Sequence, residues 1–435
     1  MAYAEKRGKT WRVKYKRPDG SEGSESGFPT KSAALAFGRE QESRIRRNEW
    51  IDPKGGRMRF AEFTTAWIAA ARLSANTRAK YESFLRTRIL PEWGDWQLGA
   101  LVGAHLEISG WVTDLHEELA ESSVASIFAC FSTIMNAAVD AQRIPASPCA
   151  RIRVTSGGYE TEHLVATPVQ VLRAAMRLHQ LGSHSDFVLC LMASYTGARW
   201  GELAGQTRAE YDRVNRAIRI IEPLTETAGV LAKGGRDVSE VPTEGRRRRA
   251  RTKTPAGTRW VQLPPFLAAL YEALMASHES RYVFVGRRGG LLRRGNYRRR
   301  LWRPAWDGDP ANPDPARRVP PILRGFRFHE TRHTHRTWLA ADGVPEVARA
   351  ARLGHQLQGM ANVYEHVTPE MEEQVLACLT RRWQASIREL HPAERDLLLE
   401  LVPSLRLEVE AALAAGLGDD GAKVISQIPP RRRAR

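Results

Sequence analysis

The sequence predicts a multidomain α+β protein: a small β-sheet-plus-helix unit at the N-terminus, an all-α unit, and a mainly α domain with a small antiparallel sheet. Three observations carry this reading. The chain has 435 residues, and domains of about 100–200 residues make two or three of them the expectation. A hydrophobic fraction of 42% is enough to build cores. The hydrophobic period also changes along the chain, from strand alternation to helical spacing and then to helices interrupted by two short strands.

Residues 1–55 form the first unit. Thr10 to Lys16 alternates with the period of a strand, Pro18-Asp19-Gly20 is a turn, and Gly27-Phe28 ends a second strand. Thr30 caps a helix of about 18 residues through Ala34, Ala36, Phe37 and Ile45. Seven of the first 17 residues are Lys or Arg, so a basic three-stranded sheet here suits a nucleic-acid groove. Asp52 to Gly56 is a linker.

Residues 59–150 read as four helices: one through Phe60, Phe63, Trp67 and Ile68, and one opened by Asn76-Thr77 and ended by Pro91 and Gly94. The third covers about 105–119, and the fourth, about 122–140, carries Val124, Ile127, Phe128, Phe131, Ile134 and Met135 at helical spacing. Ile144 to Pro148 closes the unit.

The third domain spans 165–385. Thr167-Pro168 is a helix start, 216–221 and 258–263 are strands, and a Gly- and Arg-rich insertion at about 222–245 lies between them and reads as mobile. Basic runs follow at 246–251, 287–303 and 317–336, the second with eight Arg and no acid. A tail, 386–435, holds an apolar helical stretch at 397–413 that could pack on its own domain or on a neighbouring protomer.

With 66 Lys plus Arg against 49 Asp plus Glu, the net charge is +17, which points to a polyanion partner. Only 10 of the basic residues are Lys. No run of 18 apolar residues exists and the first 20 residues are polar and basic, so neither a membrane span nor a signal peptide is expected, and the location expected is cytoplasmic. Cys130, Cys149, Cys190 and Cys378 show no paired spacing, which supports neither a disulfide framework nor a Cys-based metal site.

Four local motifs carry the chemistry. Thr196-Gly197-Ala198-Arg199-Trp200-Gly201-Glu202-Leu203 presents one Arg at a helix start, and Thr252-Lys253-Thr254-Pro255 puts a Lys in a turn before a strand. In His329-Glu330-Thr331-Arg332-His333, His329 and Arg332 are three apart and share a helix face. Leu353-Gly354-His355 is followed nine residues later by Tyr364. The third motif also fits the H-E-x-x-H pattern of zinc proteases. Arg327, Arg332 and Arg336 crowd it with charge that opposes a dication, so that reading ranks last, and no metal or other cofactor is expected.

Taken together, Arg, Lys, His-x-x-Arg, His and Tyr in this order resemble the tyrosine recombinases, the phage integrase family, over essentially residues 1–385. The resemblance implies a site-specific DNA recombinase with an arm-type DNA-binding unit at 1–55, a core-binding unit at 59–150 and a catalytic domain at 165–385. It implies Tyr364 as nucleophile forming a 3′-phosphotyrosine, Arg199, Arg332 and His355 on the phosphate, Lys253 as general acid and His329 as base. Lys233 is the other lysine of the catalytic domain and ranks behind Lys253. Tyr195, Tyr211, Tyr271, Tyr282 and Tyr297 compete with Tyr364 but do not follow the Leu-Gly-His motif. Glu202 is expected to orient Arg199 or to form a structural ion pair, and His333 to support the helix.

Thr331 departs from a usually apolar family position, and the 222–245 insertion lengthens the hairpin carrying Lys253. The implied partners are double-stranded DNA bound by a homotetramer, with a host bending protein and an excision factor; the implied place is the host cytoplasm, at the nucleoid. A catalytically inactive regulator with the same fold is the alternative, which the intact residue set argues against.

Overall fold

The alternation at the N-terminus becomes an antiparallel sheet of β1 (Tyr3–Arg7), β2 (Thr10–Lys16) and β3 (Glu22–Phe28), in that order. The computed structural model describes residues 1–47, 50–52, 55–155, 163–234, 236–238, 257–355 and 367–416. Helix α1 (Lys31–Arg46) covers the sheet, burying Val13 and Tyr15 of β2 against Ala34. The Thr30 hydroxyl accepts from the Ala33 N–H at 3.1 Å, the expected cap. Part of the sheet's basic charge is answered locally, since Lys14 Nζ lies 3.1 Å from Glu22 and 3.5 Å from Glu5.

Two compact units divide the chain, 1–160 and 161–435. The first contains both the sheet and the helical segment, so the expected boundary near 55–59 falls inside it. Its helices are α2 (Phe60–Ala70), α3 (Ala75–Phe84), α4 (His105–Glu118) and α5 (Glu121–Asp140). Helix α3 starts earlier than expected because Ser74 caps it, its Oγ accepting from the Thr77 N–H. The run passes Pro91 by way of a π-helical turn over Leu85–Ile89 and ends at Gly94, its expected close. Trp93, Trp111, Phe131 and Phe60 form a ring cluster with neighbouring centroids 5.4–5.9 Å apart. Helix α5 is long and apolar enough to cross a bilayer, but Val124, Ile127, Phe131 and Ile134 are spent on this core.

In the second unit, α6 (Pro168–Leu181) opens with a complete Thr167–Gln170 capping box. It packs on α7 (His184–Thr196), a helix buried along nearly its whole length. Then come α8 (Trp200–Ala204), β4 (Tyr211–Asp212), β5 (Ala217–Ile220), β6 (Leu224–Thr227), β7 (Val230–Lys233), β8 (Arg236–Asp237) and β9 (Arg259–Gln262). One sheet runs β4-β5-β9 and the other β6-β7-β8. The helices α9 (Pro265–Ala276), α10 (Glu330–Ala341), α11 (Glu346–Leu353), α12 (Pro369–Arg388), α13 (Pro392–Leu401) and α14 (Arg406–Gly416) follow, with a further helical run over 294–307 between α9 and α10.

The described part of the insertion, read from sequence as mobile, is instead the β6-β7-β8 sheet seated on α8. Leu224 and Leu231 pack with Ala204, and strand β6 comes so close that a Cβ on Gly201 would lie 2.4 Å from the Leu224 carbonyl oxygen. Lys233 Nζ donates to both oxygens of Glu210 at 2.8 Å and to the Gly205 carbonyl, which ties the sheet down.

The tail packs on its own unit. Leu398, Val402, Leu405, Val409 and Ala412 join the large core, and Arg173 grips Glu394 with two bonds of 2.7 and 2.9 Å. Truncating Leu398, which is fully buried, is therefore expected to cost about 2–5 kcal/mol. Leu407→Ala, at a position 77% exposed, should stay within about 0.5 kcal/mol. Urea unfolding of the two variants measures the contrast, and equal effects would show that the tail is not part of this core.

Candidate functional site

The site begins at a helix end. Gly197 closes α7 with φ of +65°, and a Cβ there would lie 2.6 Å from Leu353 and 2.9 Å from His335. Only glycine serves both the backbone and the space. Three elements therefore meet at this turn: the end of α7, the middle of α10 and the end of α11.

Arg199 follows as the N-cap of α8. Glu202, buried one turn on, accepts from the Arg199 backbone N–H at 2.8 Å and from its Nη1 at 3.0 Å. The same carboxylate takes Arg259 of β9 in a fork, at 3.0 and 3.3 Å. Burial works against the ionised Glu202, but Arg259 outweighs it, aided by Arg199, and holds the carboxyl below its usual range. Glu202 thus orients Arg199 and is also a structural ion pair, which unites the two readings made of it from sequence.

Arg332, on α10, is buried between backbone carbonyls. Its Nη1 donates to Gly197 O at 2.8 Å and its Nη2 to Leu353 O. Nη2 also lies 2.8 Å from His355 Nε2. An arginine can only donate, so Nε2 accepts and the proton of a neutral His355 sits on Nδ1, with no acceptor among the described residues. Burial first, then Arg199 and Arg259, push the Arg332 pKa down to about 9, which still leaves it charged at neutral pH. His355 is pushed down to about 4, by loss of water around the ring first and then by Arg332, Arg199, Arg336 and Arg259.

His329 caps α10, and its pKa is lowered by burial, then by His333, Arg332 and Arg199. It is neutral at pH 7 and so able to accept a proton. Thr331 is buried and its hydroxyl donates to Phe328 O at 2.7 Å, so the polar residue at that position is satisfied locally. His333 turns to the start of the unit and stacks on His163 with centroids 3.7 Å apart. His163, Glu330 and His333 bring metal-type donor atoms within 4.8 Å of one another. Their arrangement fits an ion poorly. The two rings are parallel within 12°, so their in-plane lone pairs run side by side rather than converging, and Arg327 already occupies the other Glu330 oxygen. Lys253 and Tyr364 lie outside the described residues.

The structure adds three residues that the motifs did not reveal: Arg259, Arg352 and His335. Arg259 Nε donates to Arg352 O at 2.7 Å. Arg352 is buried, donating from Nε to His335 Nε2 and from Nη2 to Tyr195 O, both at 3.1 Å. His335, wholly buried, has Nδ1 at 3.0 Å from Ser194 O, which fixes it as the Nδ1–H tautomer. A signal existed for two of them. In β9 the inward positions are Arg259 and Val261, while Trp260 is 52% exposed. In α11, Arg352 follows buried Ala348 at one-turn spacing. An arginine on an apolar face marks a built charge site. Of the four guanidinium groups of Arg199, Arg259, Arg332 and Arg352, the first two bond the carboxylate of Glu202, and the excess of positive charge at Arg199, 43% exposed, faces solvent. The arrangement can bind a tetrahedral oxyanion by fixed donors.

Residues 165–371 match the phage integrase family. The chain is 24% identical over 390 residues to a putative prophage phiRv2 integrase of Mycobacterium tuberculosis, covering 85% of this chain and 92% of that protein. It is 22% identical over 344 residues to the integrase of Mycobacterium phage D29, covering 76% of this chain and 82% of that one. Among solved structures, the Tn1549 transposon integrase in complex with circular intermediate DNA superposes with a TM-score of 0.54 at 16% identity, over 73% of this chain and 98% of that one. The fold is therefore that of the tyrosine recombinase integrases: mostly helical, with small antiparallel sheets.

His335 makes the site acid-sensitive. Burial first, then Arg352, drives its pKa well below the ordinary histidine value. Between that ordinary value, about 6.5, and the depressed one, the unfolded chain binds a proton that the folded chain does not. The stability it confers is fully present above about pH 6.5 and falls with acidification, by up to about 1.4 kcal/mol per pH unit for this one group. Urea unfolding at pH 7.5 and 5.5 measures the slope. His335→Gln should flatten it, and an unchanged slope would show that other groups carry the acid response.

Proposed function

We propose, from the match of residues 165–371 to the phage integrase family, that the chain is the integrase of a phage or integrative element. It cuts and rejoins double-stranded DNA at specific sites. The observation that carries this reading is the anchored donor group of cationic Arg199 and Arg332 with neutral His355, the carboxylate of Glu202 being buried behind Arg199. A phosphodiester is the anion such a group suits, and the family match supports that choice.

In this reading Arg199 and Arg332 hold the non-bridging oxygens and His355 donates its free Nδ1–H to one of them, where charge accumulates during displacement. The Tyr364 oxygen attacks phosphorus, forming the Tyr–O–P bond as the P–O5′ bond breaks. The phenol proton passes to His329, and Lys253 protonates the departing 5′-oxygen. The phosphotyrosine keeps the energy of the broken ester, so rejoining by the 5′-hydroxyl reverses each step without a nucleotide cofactor or a metal. Residues 1–55 bind arm-type DNA, residues 59–150 bind the core site, and a homotetramer joins two sites. A host bending protein and an excision factor set the direction. The relatives named as prophage and phage integrases support the mobile-element role, and it places the protein in the host cytoplasm at the nucleoid.

Incubation with nicked attachment-site DNA, followed by denaturing electrophoresis, tests this. The unaltered protein should form a covalent DNA adduct in the presence of excess chelator, and Tyr364→Phe none. Arg332→Ala should slow adduct formation by about 10²–10³-fold, the usual loss for one oxyanion donor. An adduct from Tyr364→Phe would remove Tyr364 as nucleophile.

A further inference from the structure

We infer that Arg352 is a positioning residue of the strand-cleavage reaction, with His335 as its anchor; the inference rests on the reading of Arg199, Arg332 and His355 as the phosphate-binding group. Arg352 is buried, and its hydrogen-bond partners among the described residues are neutral: His335 Nε2 and Tyr195 O. Burying a cation against neutral acceptors is unfavourable compared with an apolar side chain of the same size. Its neighbours on α11, Val347, Ala348, Ala350 and Leu353, are apolar and buried, so a leucine or methionine would satisfy the packing. The charge therefore serves something other than stability.

What it serves follows from the connections. The side chain of Arg352 grips the last turn of α7 twice, directly at Tyr195 O and through His335 at Ser194 O. Two residues beyond Tyr195 lies Gly197, whose carbonyl holds Arg332, and four beyond lies Arg199. In the other direction, the Arg352 carbonyl accepts from Arg259, and the next residue, Leu353, accepts from Arg332. His355 follows, and the chain leads on to Tyr364 nine residues later. The bonds thus close a ring: the end of α7 to Arg352, Leu353 to Arg332, and Arg332 back to Gly197. Arg332 joins the turn bearing Arg199 to the residues leading to His355 at one point, and Arg259, bonded to both Glu202 and the Arg352 carbonyl, joins them at a second. The Arg352 side chain adds a third tie, to the last turn of α7 itself, which fixes their relative orientation as well as their distance. A displacement of about 1 Å at such a site can cost about 10²-fold in rate.

Arg352→Met keeps the volume and removes the tether. Its thermal midpoint and its affinity for attachment-site DNA should match the unaltered protein. Its single-turnover rate of adduct formation on saturating nicked DNA should fall about 10²-fold. Arg352→Lys, which restores a donor to Tyr195 O, should recover at least about tenfold of that loss. His335→Gln, approaching the tether from its other end, should also lower the rate with little change in DNA affinity. A full rate in Arg352→Met overturns the inference while leaving the recombinase reading intact. So does a loss of rate that tracks a loss of folding or of DNA affinity in all three variants, because that is what a purely structural residue gives. Absence of adduct from the unaltered protein would overturn the recombinase reading and this inference with it.

Discussion

Arg332 is held between the C-terminal ends of two helices, and much of the second unit is arranged to make that possible. Gly197 O closes α7 and Leu353 O closes α11, and each is a carbonyl left without a helical partner. Such carbonyls carry the negative end of the helix dipole, about half an elementary charge per helix. Two of them give a buried guanidinium nearly the compensation of a carboxylate while adding no net negative charge. A true carboxylate here would neutralise the cation and compete with any anion arriving from solution. Partial charges keep Arg332 inside the protein and leave its full charge available to a ligand.

The same economy explains the surroundings. Two unit charges 4 Å apart repel by about 4 kcal/mol at the effective dielectric of such sites, so a cluster of guanidinium groups has to be held together by fixed bonds. Glu202 joins Arg199 and Arg259, the α7 terminus joins Arg332 and Arg352, and the β6-β7-β8 sheet presses on the helix that Arg199 caps. Histidines complete the site as neutral groups because burial, and then the field of the arginines, keeps them so. His335 and His355 accept from arginines through Nε2, and only an unprotonated ring can do this. The depressed histidine pKa values and the retained arginine charges are therefore two sides of one arrangement.

Where sequence reasoning succeeded, local chemistry decided the outcome. Thr30 and Thr167 cap helices because a hydroxyl before an apolar run can satisfy a free N–H. The strands at 217–220 and 259–262 follow their alternation. Arg199, Arg332 and His355 could be read from linear motifs, and they do meet in space. Arg259 and Arg352 could not be read in this way, because their meaning depends on which face of β9 and α11 is buried, and charge normally argues for the outer face. The insertion seemed mobile because it is rich in Gly and Arg. It is ordered through β6–β8 because Gly201 lets the strand approach α8 closely, and no local pattern announces that contact. The tail's cis packing depends likewise on long-range pairs such as Arg173–Glu394. The helix runs past Pro91 to its expected end at Gly94 because a π-helical turn, itself invisible in composition, accommodates the proline.

The two lysines of the catalytic domain show how structure sharpens an assignment made from scarcity. Both had the right chemistry, since a lysine can give up a proton at a developing alkoxide and an arginine cannot. Lys233 has three N–H donors and three acceptors placed on them, the two oxygens of Glu210 and the carbonyl of Gly205, with its side chain only 9% exposed. To reach a leaving oxygen it would have to abandon all three and release the sheet that supports the Arg199 helix. Its role is to hold the insertion in place. In the proposed reaction the proton donor at the 5′-oxygen is therefore Lys253, six residues ahead in sequence of Arg259, which is locked to Glu202.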